Sequence, residues 1–179
     1  VNAACMFYNK TILDECGLTM EHNMTYDEFV TMSKEITEKT GYRAKLMYRG
    51  SSMGEWARAN GIPIVEAKMP VESAKEYEPF FQILTDGIKD GWCLTPENID
   101  PTGVETDPLV YGSSPETMAW VTMNGTSNQL TAFQSAAPEG TEIAVTTIPT
   151  SDTKVSNYLK PALYFSISAD TKNPDEAVA

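Results

Sequence analysis

Between positions 124 and 129 the sequence reads N-G-T-S-N-Q. Side-chain amides each carry an acceptor and two N–H donors, and hydroxyls do both jobs, so this run gathers groups that hold a polar ligand and none that attacks one. An apolar run, 117–123, precedes it, and Leu130 and Phe133 follow with helical spacing. The pattern predicts a strand, an Asn-Gly turn and a helix, with amide side chains and free first-turn N–H groups converging on the junction. Helix capping by Thr126 or Ser127, and turn formation by Asn124-Gly125, account for part of this composition. Asn128 and Gln129 are harder to explain as caps.

Chemistry that makes or breaks bonds lacks its parts. His22 is the single histidine and reads as a loop residue; Glu21 is its only neighbour with a ligating side chain, so neither a zinc site nor a histidine-based triad is expected. Cys5, Cys16 and Cys93 are odd in number and irregularly spaced, which predicts neither a disulfide framework nor a C-x-x-C site, although one pair could form. There is no G-x-S-x-G, H-E-x-x-H or phosphate loop. A hydrolase working through two carboxylates depends on their separation in space, which sequence does not give. No catalytic residue, metal or cofactor is assigned.

With 25 acidic residues against 13 basic ones, the formal charge of −12 repels phosphate backbones and anionic membranes, so nucleic acid is not an expected partner. No apolar run reaches the roughly 20 residues that span a bilayer. Cys5 follows Ala-Ala as at a lipoprotein cleavage site, but the apolar stretch that precedes such a site is missing, and Cys5 leads into a strand-like run. The N-x-T tripeptides at Asn9, Asn23 and Asn124 are short enough to arise by chance.

The elements that must position these groups follow from periodicity and punctuation. A-C-M-F-Y-N reads as a buried strand, then Asn9 opens a short helix stopped by Gly17. Thr25 and Glu28 form a capping box for a helix whose Tyr26, Phe29, Met32 and Ile36 share a face, ending near Lys39. A strand is expected over 44–48, then R-G-S-S-M-G-E-W as a loop running into a short helix around Trp56. Ala74, Tyr77, Phe81, Leu84 and Ile88 mark a long helix that Gly91 ends, with Pro79 at a kink or in the first turn. Residues 95–115 are mostly loop, and strands are expected over 143–148 and 161–168. Asn173, Pro174 and Glu176 open a helix that the sequence leaves after a few residues, so the chain reads as cut from a longer protein at both ends. Trp92, Trp120, Phe81 and Phe133 fall on apolar stripes and are expected in the core. Alternating strands and helices predict an α/β class with a central sheet covered by helices.

The order of these pieces resembles the second lobe of the family 1 extracellular solute-binding proteins. M-F-Y-N-K-T-I-L-D-E-C-G-L is similar to the family's strand and helix after the first hinge crossing, and M-T-Y-D-E-F to its next helix start. F-F-Q-I-L-T-D-G-I-K-D-G-W is similar to its helix ending in Lys-Asp-Gly, and V-T-M-N-G-T-S-N-Q-L to a strand and ligand-contacting loop. I-P-T and I-S-A-D-T-K-N-P-D-E-A are similar to strand ends and the return crossing, so the resemblance covers nearly the whole chain.

The resemblance implies a type II periplasmic-binding-protein-like lobe, a mixed sheet flanked by helices and truncated at both ends: residues 1–166 as lobe two, and 167–179 as the return crossing and the start of a cut helix. It implies capture of a small polar ligand, a mono- or oligosaccharide first, with glycerol phosphate or a polyamine as alternatives, between this lobe and a missing lobe one. The partners it implies are ABC permease subunits, and the location extracytoplasmic, with a lipoprotein parent. Implied ligand-binding residues are Asn124, Thr126, Ser127, Asn128 and Gln129, with Arg49, Ser51 and Trp56 from a second loop and Tyr8 and Tyr164 near the crossings. Trp56 reads equally as core, and both tyrosines read more readily as packing. The family often places a stacking tryptophan in the first loop, and here there is none. A structural or adhesive α/β module is the rival reading.

Overall fold

The computed structural model describes residues 2–46, 50–62, 71–98, 104–111, 114–152, 159–160 and 166–178. Its central strand is β1 (Asn2–Asn9), and the sheet order is β2-β3-β1-β4, with β5 (Leu159–Lys160) paired to the start of β1. β2 (Arg43–Lys45) runs parallel to β3 (Ala119–Thr126), whereas β1 is antiparallel to β3, to β4 (Ile143–Thr146) and to β5. Successive side chains of a strand point to opposite faces. Accordingly Met6 and Tyr8 join one core with Ile12 and Leu13 of α1 (Lys10–Cys16) and Phe29 and Ile36 of α2 (Tyr26–Thr40), while Cys5 and Phe7 join another with Leu109, Val110 and Phe133.

Local chemistry sets the helix starts. The Asn9 side chain accepts from Ile12 N–H at 3.1 Å, and Thr25 and Glu28 close the capping box, with Glu28 Oε2 accepting from Thr25 N–H at 2.7 Å. Such caps each stabilise a helix by about 1 kcal/mol. Those backbone and hydroxyl donors hold the Glu28 carboxyl below its usual range. Pro79 sits in the first turn of α4 (Glu78–Asp90), where its missing N–H costs nothing.

The structure departs from the sequence reading at four places. The glycines and serines expected to form a loop before Trp56 are helical from Gly50, because Met53, Trp56 and Ala57 give α3 (Gly50–Ala59) an inward face. Phe81 is 43% exposed and Phe80 is buried instead: residues Val71–Tyr77 form a 3₁₀ turn, and its tighter winding shifts the phase of the stripe that enters α4. Asn124-Gly125 is no turn, since β3 continues to Thr126. Ser166, Ile167 and Ser168 are irregular; 161–165, where the rest of the expected strand falls, lies outside the described residues. Trp92, Trp120 and Phe133 are buried, as their stripes predict. α5 (Leu130–Ala136) and α6 (Pro174–Val178) complete the chain.

Candidate ligand-binding site

Strand register places the site. Ala4 of β1 lies opposite Thr126, Met6 opposite Thr146, and Lys45 opposite Thr122. The carboxyl ends of β2, β3 and β4 therefore leave the sheet at the edge where β1 enters, which is where open α/β sheets bind ligands. Two described segments emerge there: the 3₁₀ turn Ser127–Gln129 and 147–150.

The Ser127–Gln129 turn carries its own scaffold. Gln129 Oε1 accepts from Thr126 N–H at 2.9 Å and from the Thr126 hydroxyl at 3.2 Å, and Asn128 Oδ1 accepts from that hydroxyl at 2.7 Å. Gln129 is thus a capping partner, a role the sequence did not suggest for it. Both amides spend their carbonyl oxygens inside the loop, while the NH₂ groups of Asn128 and Gln129 make no hydrogen bond among the described residues. Ser127 Oγ accepts from Ala3 N–H at 3.1 Å. Thr126, Ser127 and Asn128 are exposed.

A bulge delivers this loop. Cys5 pairs with Gly125 and Phe7 with Thr122, so Met123 and Asn124 stand opposite the single residue Met6. The extra residue re-aims the chain beyond it. Asn124 lies in the bulge by its backbone, and Gly125 is turned onto Phe7, where a Cβ would come within 2.1 Å of the ring.

The neighbouring segments are tied to the same edge. Thr150 bridges Thr25, Thr147 Oγ1 accepts from Asn23 N–H at 2.7 Å, and His22 Nδ1 lies 3.0 Å from the Thr146 hydroxyl. Asn60 Nδ2 donates to Ser151 Oγ at 3.1 Å, joining the end of α3 to the 147–152 segment. Asn60 and Ser151 were missed in the sequence; the I-P-T strand end was the only pointer to them.

Trp56 lies inside: 8% exposed, its indole N–H donates to Glu76 O at 3.1 Å, and its ring meets Tyr26 and Phe80 at 5.3 and 5.7 Å. Tyr8 stands five residues along β1 from Ala3, about 17 Å away, between Val121 and Ala144. Burial pushes its phenol upward. The structure thus brings Thr126, Ser127, Asn128 and Gln129 together in one loop, and Tyr8 lies outside it. Arg49 and Tyr164 lie outside the described residues, as do the side chains of Asn124 and Ser51. Among the described residues no cluster of three His, Cys, Asp or Glu could hold a metal ion, and no helix is long and apolar enough to cross a membrane.

Comparison with solved structures gives a TM-score of 0.78 to an extracellular solute-binding protein family 1 from Alicyclobacillus acidocaldarius, 19% identical, covering 98% of this chain and 44% of that one. The chain has the solute-binding-protein fold. A periplasmic oligogalacturonide binding protein from Yersinia enterocolitica, solved with saturated digalacturonic acid, matches this fold at TM-score 0.61 and 16% identity over 98% of this chain and 45% of that one. A de novo designed cysteine esterase, ECH19, matches at 0.66 and 17% identity over 99% and 45%. One solute-binding fold therefore carries unrelated chemistries, and function must be argued from the site. In sequence, 41 residues, 23% of this chain and 9% of the other, are 44% identical to an arabinooligosaccharide-binding protein of Halalkalibacterium halodurans. No protein-family profile matches. The chain spans less than half the length of the solved structures it matches.

Proposed function

We propose that this chain is one lobe of the substrate-binding component of an ABC importer, and that it captures a small polar solute, a sugar first. The observation that carries the reading is the 126–129 loop: at the carboxyl edge of the sheet, Asn128 and Gln129 hold their carbonyls inward on Thr126 and keep their NH₂ donors for something else. Amide donors suit the hydroxyl oxygens of a sugar. The arabinooligosaccharide-binding relative supports a carbohydrate over the other solutes.

Residues 1–166 form lobe two in this reading, and 167–179 begin the return to lobe one. Ligand is held between the lobes as they close. Asn124, Thr126, Asn128 and Gln129 contribute one set of contacts, and Arg49 and Ser51 a second, with the Arg49 guanidinium suited to two neighbouring oxygens. Capture proceeds without turnover. The parent protein is extracytoplasmic, held at the membrane as a lipoprotein, and delivers its cargo to permease subunits.

A thermal-shift screen of the full-length protein against sugars, polyamines and phosphorylated polyols tests this. A bound ligand at about 100 times its Kd adds about 2.7 kcal/mol to stability, a shift of several degrees. A sugar that raises Tm in the wild type and loses that effect in Asn128→Ala, whose unliganded Tm stays unchanged, supports both the role and the loop. A polyamine or phosphorylated hit replaces the substrate class. No hit across the library removes the transport reading and favours a structural module.

A further inference from the structure

Pairing of β3 with β1 ends at Ala4 and Thr126, yet the next inward-facing amide of β1 still has a partner: Ala3 N–H donates to Ser127 Oγ at 3.1 Å. A side-chain hydroxyl stands where a strand carbonyl would, and extends the ladder by one rung. Ala3 is also paired with Leu159 of β5, and Asn2 with Lys160. The first residues of β1 thus connect the 126–129 loop to β5. Phe7 holds the same loop from below, with Gly125 on its ring face before the turn and Phe133, at a centroid distance of 4.6 Å, after it.

We propose that Ser127 is a positioning residue and not a ligand contact: its hydroxyl clips the loop to the start of β1, so that the loop, β1 and β5 move as one unit, leaving the Asn128 and Gln129 amides to meet the ligand. The proposal rests on the functional reading in taking this loop as the ligand loop and residues 2–3 as the start of lobe two, next to the first crossing. A Ser127 without the bond to Ala3 would leave exchange at Ala3 unchanged on its removal.

Amide hydrogen exchange of the full-length protein without ligand, read at residue resolution, tests the clip. Expected in Ser127→Ala is exchange at Ala3 about tenfold faster, with Tyr8 and Val121 unchanged and Ser127→Thr restoring protection. Titration with arabinotriose by calorimetry then tests positioning: Kd rises about three- to tenfold in Ser127→Ala and recovers in Ser127→Thr. Unchanged exchange at Ala3 overturns the clip, and faster exchange with unchanged Kd overturns its role in binding. If the wild type binds no sugar, the sugar reading fails while the exchange result still decides the clip.

Discussion

Lys45 and Asp107 form an ion pair in the interior although 62 positions separate them in the sequence. Their side chains are 4% and 9% exposed, and Asp107 also accepts from the Thr122 hydroxyl at 3.3 Å and from Leu109 N–H at 3.0 Å. Because Lys45 lies opposite Thr122, the pair fastens the 104–111 segment to β2 and β3, which sets Leu109 and Val110 over Cys5 and Phe7.

Removing one member leaves the other charge buried and alone. Lys45→Met is expected to cost about 3–5 kcal/mol, while Lys45→Met/Asp107→Leu costs less than the single variant because no buried charge remains. Urea unfolding of the three proteins checks this. A double variant less stable than Lys45→Met would show that the bonds Asp107 accepts from Thr122 and Leu109 N–H outweigh the cost of its lone buried charge.

The three cysteines differ in reach. Cys5 and Cys93 are buried, and burial pushes the Cys5 thiol up to about 12 and raises Cys93 as well. Cys16 is part-exposed; burial raises it too, against a lowering influence from Lys39. Thiolate is the reactive form. Native protein should label at Cys16 first with a soluble thiol reagent, and at Cys5 and Cys93 only on unfolding, as peptide mass spectrometry would resolve. Early labelling of Cys93 would mean that α4 opens locally, because Gly87 of that helix sits directly against its sulfur.

What was legible in the sequence was local. Asn9, Thr25 with Glu28, Gly17 and Gly91 all act within a turn of where they stand and mark the boundaries they were expected to mark, and Pro79 takes the first-turn position, one of the two read for it. The bulge opposite Met6 was not legible, because Asn-Gly is the composition of a turn and only the register with β1 makes it strand. Nor was the Lys45–Asp107 pair, whose partners meet only through the sheet. Of the 126–129 loop, the sequence shows a group of polar residues and the structure divides their bonding: Gln129 caps, Ser127 bonds β1, and the Asn128 NH₂ makes no hydrogen bond among the described residues.

Glu55 should set a pH dependence of stability. Its side chain is 4% exposed; Oε1 is 2.6 Å from Arg58, and Oε2 has no hydrogen-bond partner among the described residues. Burial raises its carboxyl above the ordinary value, against the lowering effect of Arg58. A folded-state acid with a raised pKa binds its proton more tightly than the unfolded chain does. Its contribution is therefore complete below the unfolded pKa and is lost as pH rises through the folded one. Glu55→Gln, which fixes a neutral group, should melt with the wild type near about pH 4 and above it at about pH 7.5 in scanning calorimetry. A lower Tm for Glu55→Gln at the higher pH would mean that the Arg58 contact outweighs burial.

Gly125 is required by a contact and not by its backbone, since its φ is not positive. A Cβ there would lie 2.1 and 2.4 Å from two atoms of the Phe7 ring. Phe7 is fully buried and held by Phe133, so the ring has little room to retreat. Gly125→Ala is expected to cost about 1–3 kcal/mol, the range for overpacking a filled core, and to displace the 126–129 loop and weaken ligand binding. Trimming the ring should relieve the clash, so Phe7→Leu/Gly125→Ala ought to be more stable than the sum of the two single changes. A double-mutant cycle by chemical denaturation measures that coupling. Additive costs would mean that β3 shifts away from β1 in Gly125→Ala, and ligand titration of the same variant would then show whether the loop had moved with it.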